Sequence, residues 1–315
     1  MTEVFLEPTV IWEHYHLPTT VDQALERLTQ YGGAARVIAG GTDLLLDLQQ
    51  GRQTPVEALV DVTQVPEMTS IAERDGWIYL GAAVTHTAIV ASPLLTRNAT
   101  CLVESCGVIG GPQVRNVATI GGNVAHALPA GDGTISLVAL DAEAQVAAPA
   151  GRRWLPIATL FQGPGKSAVD ATRELIVQFR FRPMTQGNAT AFKRIMRPQG
   201  VALPILGMAV WLELAATKGK SSPIENIRIA LGPAGPIPLR ATQTEAFLQG
   251  RSISEETIAE AAGQIASEAR MRTSPHRATS EYRRELLEPL IERALQLAAY
   301  RARTGDIQPE GLGLA

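Results

Sequence analysis

The chain has 315 residues, of which 45% are hydrophobic and 19% charged, with a formal net charge of −3. This composition is typical of a globular protein with two small cores, and the slightly acidic balance gives no reason to expect nucleic acid as a partner. The two cysteines, Cys101 and Cys106, are too few for an iron–sulfur cluster or a structural zinc ion, each of which usually needs about four ligands.

The sequence predicts no targeting or membrane segment. The first five residues lack a basic region followed by an apolar run. The longest apolar stretches, such as residues 201–214, are too short and interrupted to span a bilayer. We therefore expect a cytoplasmic protein.

The predicted elements begin with a helix, because Thr20 and Gln23 have capping-box spacing ahead of a periodic apolar face. A short strand at 36–39, a buried helix at 44–48 and a second strand at 59–62 follow. Together they predict a strand–helix–strand unit at the N-terminus.

The middle of the chain predicts a strand at 77–82, helices at 87–105 and 134–140, and a meander of strands over 143–182. A polar segment at 183–188 suggests a domain boundary. After it the pattern predicts strands at 191–196, 205–214 and 224–231, then helices at 241–249, 254–270 and 279–303, the last kinked by Pro289. This organisation predicts a domain over 1–182, with subdomains of about 1–62 and 63–182, and a second domain over 183–315.

The first glycine-rich loop, Gly40-Gly41-Thr42-Asp43, lies between a predicted strand and a predicted helix. A glycine pair lets main-chain amides approach a pyrophosphate closely, and a helix start favours an anion. Thr42 adds a hydroxyl donor. We expect Asp43 to point away from the phosphates and to cap the helix.

The second loop repeats this layout, with Gly121 and Gly122 between an apolar strand and a helix and with Thr119 and Asn123 beside them. Two such loops predict a dinucleotide site built from main-chain amides. The G-x-G-x-x-G and G-x-x-x-x-G-K-[ST] patterns are absent, so neither a Rossmann site nor a P-loop is supported.

Other polar residues leave alternatives open. His126 could approach the cofactor or make a structural hydrogen bond, and Arg115-Asn116 could orient the second loop or solvate a surface. Lys193, Arg194 and Arg197 form a basic patch that is either a partner contact or an exposed face. The remaining histidines show no metal-ligand spacing.

Taken together, the motifs resemble the FAD subunits of the xanthine dehydrogenase and carbon monoxide dehydrogenase family. The resemblance spans nearly the whole chain in order. The segments that carry it are Val37–Leu44, Val114–Asn123, Ala127–Asp132, Phe161–Ser167, Arg228–Gly232 and Tyr282–Leu286.

The resemblance implies an α+β protein. Its first part would have the two-subdomain FAD-binding fold of vanillyl-alcohol-oxidase (PCMH) type, and a C-terminal α+β domain of a sheet and helices would follow. It assigns FAD contacts to Val37, Ile38, Ala39, Gly40, Gly41, Thr42, Asp43, Leu44, Thr119, Ile120, Gly121, Gly122 and Asn123. It also places Asp132 at a flavin hydroxyl or near the phosphates, and Ile109 and Ile176 near the flavin ring.

The resemblance further implies an electron-transfer subunit with no catalytic residue and no metal of its own. Electrons would pass from a molybdopterin centre on a large subunit, through 2Fe–2S clusters on a small subunit, to FAD on this chain and then to an external acceptor. The expected assembly is a dimer of heterotrimers.

Two departures from the family pattern stand out. Leu128 replaces the usual serine, and residues 201–205 lack the aromatic or lysine that some members set against the flavin. No cysteine-rich insertion is present, so no further cluster is expected on this chain. A self-contained flavin oxidoreductase of the same fold and a cofactor-free scaffold subunit remain alternatives.

Overall fold

The N-terminal unit is a small parallel sheet with crossover helices. The computed structural model describes residues 11–197, 203–216, 222–275 and 277–311. The strand order is β1-β3-β2 and both pairings are parallel. The elements are β1 (His14–His16), α1 (Val21–Gln30), β2 (Ala35–Ile38), α2 (Leu44–Gln49) and β3 (Ala58–Asp61). Thr20 caps α1 as predicted, since its side chain accepts a hydrogen bond from the amide of Gln23.

A five-stranded antiparallel sheet of order β4-β5-β10-β6-β7 forms the centre of the next unit. Its strands are β4 (Ile71–Arg74), β5 (Trp77–Gly81), β6 (Glu143–Ala148), β7 (Gly151–Pro156) and β10 (Leu175–Phe181). The middle strand β10 carries Phe179 and Phe181, both fully buried, as expected for a strand flanked on both edges. A hairpin of β8 (Phe161–Gly163) and β9 (Lys166–Ser167) follows a short 3-10 helix, Ile157–Leu160.

Short helices surround this sheet. They are α3 (Pro66–Thr69), α4 (His86–Val90), α5 (Pro93–Asn98), α6 (Thr100–Gly107), α7 (Pro112–Arg115), α8 (Ile120–Ala125) and α9 (Asp132–Ala139). The single helix predicted over 87–105 is therefore wrong. Ser92 is extended and caps a new helix that starts at Pro93, because a proline lacks the amide needed to continue the previous one.

The C-terminal part is a four-stranded antiparallel sheet covered by helices. The strands, in the order of the sheet, are β11 (Asn188–Ile195), β12 (Leu206–Leu214), β13 (Ile224–Gly232) and β14 (Leu239–Arg240). The helices are α10 (Thr242–Leu248), α11 (Glu255–Glu268), α12 (Ser280–Glu285) and α13 (Leu287–Thr304). The helix predicted over 279–303 breaks at Leu286, three residues before Pro289, which then lies in the first turn of α13, where a missing amide costs least.

Two buried ion pairs join the C-terminal sheet and helices to the preceding part of the chain. Arg301 of α13 contacts Glu104 of α6 at 2.6 Å, and Arg194 of β11 contacts Asp132 of α9 at 2.7 Å. Glu104 also accepts the amide of Phe192, so its charge is well satisfied. In the part of the chain that the structure describes, no helix is long and apolar enough to cross a bilayer.

Candidate functional site

The first loop runs from the end of β2 to the start of α2 and presents a row of unbonded amides. Gly41 has a φ of 68°, a left-handed conformation that glycine adopts at little cost. The main-chain amides of residues 39–43 make no hydrogen bond to any described residue, and the Thr42 hydroxyl makes none either. Residues 39–42 are half-buried and Asp43 is exposed. Unpaired amides that remain accessible are suited to binding an anion.

The two predicted loops lie against each other. A Cβ built on Gly40 would lie 2.1 Å from the carbonyl oxygen of Val117 and 2.7 Å from Cα of Ala118. The main chain just before the second loop therefore touches the first loop, and only a glycine at position 40 permits that approach. Val117 was not among the predicted site residues, because no local pattern signals a contact this distant in the sequence.

The second loop differs from its prediction. No strand precedes it; Gly121 and Gly122 lie in the first turn of α8, and Thr119 is the helix N-cap. Its amides are already bonded: Ile120 donates to Val84, Gly121 to the carbonyl of Ala82, and Gly122 to the Thr119 side chain. The prediction of a strand and of bare amides here is therefore wrong.

Gly121 is required for packing rather than for an open anion site. A Cβ on this residue would lie 2.5 Å from the carbonyl oxygen of Ala82, to which its own amide donates at 2.7 Å. The glycine therefore lets α8 rest directly on the chain that follows β5. Any contribution of α8 to a diphosphate must come from side chains rather than from these amides.

Asn123 and Asp132 link α8 to α9 and to the C-terminal sheet. The Asn123 side-chain oxygen accepts hydrogen bonds from the amide and the hydroxyl of Thr134, which leaves its Nδ2 as the donor still available. Asp132 is 3% exposed and forms the ion pair with Arg194. Burial raises the pKa of the Asp132 carboxyl to about 6, while Arg194 opposes that rise. Its Oδ1 is buried and has no partner among the described residues.

Asp43 does not cap α2, contrary to prediction. The structure shows no hydrogen bond from its side chain to the helix amides. Its Oδ1 instead lies 3.9 Å from Nε2 of His126, which stands at the C-cap of α8. The pair forms a contact between the first loop and the C-terminal end of α8.

The turn that follows α6 is held by Arg115. One guanidinium nitrogen of Arg115 donates to the carbonyl oxygens of Ile109 and Gly110, at 3.2 and 2.7 Å. Arg115 therefore neither orients the second loop nor solvates a surface, the two predicted alternatives: it holds the turn at 109–110 and is itself buried.

His86 is also buried. Burial is the larger cause that lowers the pKa of His86 to about 4, and the positive charge of Arg115 is the smaller cause. Asn116 accepts a hydrogen bond from Thr87.

The remaining predicted residues are spread over several elements. Val37 and Ile38 end β2, Leu44 opens α2, and Ile176 is buried in β10 beside a bulge. Of the basic patch, Lys193 pairs with Glu310 and Arg194 turns inward to Asp132. Residues 201 and 202 of the segment that lacks an aromatic residue lie outside the described part of the chain.

The cysteines and acids offer no metal site in the described ranges. Cys101 and Cys106 are buried free thiols, and burial raises the pKa of Cys101 to about 12. A thiol so far from ionisation is a poor metal ligand. No group of three or more His, Cys, Asp or Glu side chains with metal-binding geometry occurs among the described residues.

The residues of the site fit an FAD diphosphate. The first loop supplies unbonded amides and a hydroxyl, and its glycine–main-chain contact with residues 117 and 118 closes one side of the site. Asn123 retains a free amide donor one helix turn from Thr119. These groups are the hydrogen-bond donors that a diphosphate needs.

Comparisons with known proteins show the family to which the chain is related. Residues 9–182 match the family described as the FAD binding domain in molybdopterin dehydrogenase, and residues 190–298 match the CO dehydrogenase flavoprotein C-terminal domain. The carbon monoxide dehydrogenase medium chain of Hydrogenophaga pseudoflava is 29% identical over 90% of this chain and 96% of its own. The nicotine 6-hydroxylase medium subunit of Paenarthrobacter nicotinovorans is 31% identical over 91% and 97%.

Solved structures agree in fold. A carbon monoxide dehydrogenase from Hydrogenophaga pseudoflava superposes with a TM-score of 0.84 at 29% identity, covering 94% of this chain and 99% of that one. Quinoline 2-oxidoreductase from Pseudomonas putida 86 gives a TM-score of 0.82 at 26% identity, with 92% and 98% covered. The expected α+β architecture, an FAD-binding fold followed by a C-terminal domain of a sheet and helices, is confirmed. The chain belongs to the family of FAD-binding flavoprotein subunits of molybdopterin dehydrogenases.

Proposed function

We propose that this chain is the FAD-carrying electron-transfer subunit of a molybdopterin-dependent hydroxylase or dehydrogenase. It takes electrons from iron–sulfur clusters on a partner and delivers them through FAD to an external acceptor. The observation that carries the proposal is the row of unbonded main-chain amides at residues 39–43. Gly40 of this row is in close contact with the main chain of residues 117 and 118. No role as general acid or base is assigned to any residue.

Each part of the site has a separate task. The first-loop amides and the Thr42 hydroxyl hold the diphosphate, and Nδ2 of Asn123 donates to it from α8. Asp132 and Arg194 fix the start of α9 against β11, and Arg115 fixes the main chain at Ile109. FAD, when bound, supplies the ability to accept and release electrons one or two at a time. The protein binds it, orients it and limits its contact with water.

The proposed partners are a large molybdopterin-binding subunit and a small subunit with 2Fe–2S clusters, assembled as a dimer of heterotrimers in the cytoplasm. Support comes from relatives named as medium chains or FAD subunits, such as the Escherichia coli xanthine dehydrogenase FAD-binding subunit, 28% identical over 91% of this chain. We also propose domains at 1–182, divided near residue 62, and at 183–315. One buried apolar cluster lies wholly within the second domain, while the larger cluster of the first domain also takes in Phe192, Ala209, Trp211 and Ala230 of the C-terminal sheet.

The test is purification of the native complex with flavin and metal analysis. The proposal predicts about one FAD for each copy of this chain, molybdenum and iron on co-purifying chains, and substrate reduction of the flavin only when those chains are present. A chain that oxidises substrate unaided would instead be a self-contained flavoenzyme. A colourless chain that takes up no added FAD would be a scaffold, and either result would contradict the proposal.

A further inference from the structure

Arg283 of α12 is a buried cation whose hydrogen bonding is incomplete. It is 2% exposed, and its Nη1 donates to the carbonyl oxygen of Pro233 at 2.9 Å. Its Nε is buried and has no partner among the described residues. No described carboxylate pairs with its guanidinium. A buried charge without a counter-charge destabilises a protein, so this arginine calls for an anionic group that the described chain does not supply.

Two other arginines in the described ranges are buried as whole residues, and both are better paired. Arg301 contacts Glu104 at 2.6 Å and also donates to two carbonyl oxygens. Arg115 donates to two carbonyl oxygens. The incomplete pairing of Arg283 is therefore not a general property of buried arginines in this chain.

Two further arginines stand beside Arg283 and add to its positive charge. Burial lowers the pKa of Arg283, and the charges of Arg277 and Arg272 lower it further. Arg277 is half-buried and Arg272 is exposed, and neither side chain forms a hydrogen bond or an ion pair with a described residue. Residues 269–280 contain no Asp or Glu, although the whole chain has a net charge of −3. The positive charge is therefore concentrated locally and is not neutralised from within the described chain.

The main chain of the loop between α11 and α12 holds these arginines in place. The amide of Arg270 donates to the carbonyl of Ala234, in the turn that follows β13. The amide of Arg277 donates to Ser274, which also forms an antiparallel bridge with Ala278. A loop fixed in this way loses little conformational freedom when a partner binds it.

The surface formed by Arg272, Arg277, Tyr282 and Arg283, which we call the basic patch, has the composition of a protein contact. Tyr282 is 44% exposed beside the buried Arg283. Tyrosine and arginine are among the residues that contribute most to binding at protein interfaces. A carboxylate is the natural complement of a guanidinium, because it can accept two parallel hydrogen bonds from it. The neighbouring acid, Glu281, instead accepts a hydrogen bond from the Ser280 hydroxyl.

The turn beneath the basic patch touches the segment that precedes α9. Pro233, which accepts the hydrogen bond from Arg283, follows Gly232. A Cβ built on Gly232 would lie 2.1 Å from the carbonyl oxygen of Pro129. Asp132 opens α9 shortly after Pro129. A partner bound at the basic patch is thus anchored close to elements that the proposed flavin site uses.

We propose that the basic patch docks an acidic segment of a partner subunit, whose Asp or Glu side chains bind Arg272 and Arg277 and supply the counter-charge that Arg283 lacks. The inference rests on the proposed function, since the partner is taken to be a subunit of the same complex. Arg272 and Arg277 are the groups that the partner reaches directly, and Arg283 gains from the same carboxylates at longer range.

The first experiment is purification of the native complex through a tag on this chain, with R272E/R277E compared with the wild type. Molybdenum and iron per chain measure attachment of the partners, and the flavin absorbance measures FAD occupancy. R293E/R303E is the matched control. Both of its arginines lie exposed on α13, neither forms an ion pair with a described residue, and the change in net charge is the same.

The expected result is a loss of molybdenum, iron or both by about tenfold or more in R272E/R277E, with FAD retained and the control like the wild type. Added salt weakens assembly of the wild-type complex. The isolated R277E chain unfolds at the same temperature as the wild type or a higher one, because the new carboxylate lies beside Arg283. A metal loss in R272E/R277E is then not the result of misfolding.

The second experiment identifies the group that the basic patch binds. A zero-length carbodiimide joins an amine to a carboxylate, and R272K/R277K provides amines at both positions while keeping the charge of the patch. Mass spectrometry of the treated complex should find position 272 or 277 joined to an Asp or Glu of a partner subunit.

Unchanged metal content in R272E/R277E, or an equal loss in R293E/R303E, would overturn the inference, as would the absence of a cross-link at both positions. If the isolated wild-type chain binds inorganic phosphate, the reversal abolishes that binding and assembly is intact, the patch is a small-anion site and the inference fails. A wild-type chain with which no molybdenum or iron subunit co-purifies would overturn the proposed function as well.

Discussion

Replacing Gly40 with alanine tests the contact between the two loops. The added Cβ would lie 2.1 Å from the carbonyl oxygen of Val117 and 2.6 Å from its carbonyl carbon. An ordinary carbon–oxygen contact is about 3.3 Å or longer, so the loops would have to separate by about 1.2 Å. Main chain cannot rotate away as a flexible side chain can. We therefore expect a loss of about 1–3 kcal/mol in stability, typical of overpacking.

The same displacement should weaken FAD binding. If half of that cost falls on the bound geometry, the dissociation constant rises about two- to tenfold, since about 1.4 kcal/mol is a factor of ten. The assay is fluorescence titration of the apo-protein with FAD, with thermal unfolding measured on the same samples.

Gly51→Ala is the matched control. Gly51 has a φ of 66° at the end of α2, and a Cβ there would meet nothing within 4 Å. The left-handed conformation alone should cost about 1–2 kcal/mol of stability and leave FAD affinity unchanged. If Gly40→Ala binds FAD as tightly as Gly51→Ala does, the two loops do not form the site together.

Three further substitutions test the buried charges of the fold. Glu104→Gln leaves buried Arg301 without its counter-charge, so we expect a loss of about 3–5 kcal/mol in denaturant unfolding; a loss below about 1 kcal/mol would contradict the role of this pair. The folded-state pKa of His86, about 4, is below the ordinary histidine pKa of 6.5, so its stability contribution is present above pH 6.5 and is lost as pH falls toward 4. His86→Leu should flatten that part of the stability profile, and an unchanged slope would refute the assignment. The folded-state pKa of Asp132, about 6, is above the ordinary aspartate pKa of 3.8, so the stability that Asp132 contributes declines as pH rises from 3.8 to 6. Asp132→Asn should remove this decline, and the difference between wild-type and variant unfolding profiles measures it.

Local patterns predicted the elements whose cause is local. The helix α1 begins where the Thr20–Gln23 spacing places its cap, and its buried face is that of the periodic apolar residues. The first loop likewise lies between a strand and a helix, as its glycines and flanking apolar residues indicate. In both cases the residues that form the sequence pattern are the same residues that determine the local structure.

Long-range contacts explain where the sequence interpretation failed. Gly121 looked like a phosphate-binding glycine, but it is needed for contact with Ala82, which no local spacing reveals. Asp43 has the residue type of a helix cap, yet it lies near His126 of another element. The pairing of Asp132 with Arg194 joins two parts of the chain far apart in sequence. The two glycine patterns and the family resemblance both assigned the two loops to one dinucleotide site, but neither indicated the contact of Gly40 with Val117.

The most direct test of the site is a crystal structure of the chain with FAD bound. The account predicts diphosphate oxygens within about 3 Å of main-chain amides among residues 39–43. It also predicts that the amides of Gly121 and Gly122 keep their bonds to Ala82 and Thr119. A diphosphate bound away from the first loop, with those first-loop amides still unpaired, would contradict the account.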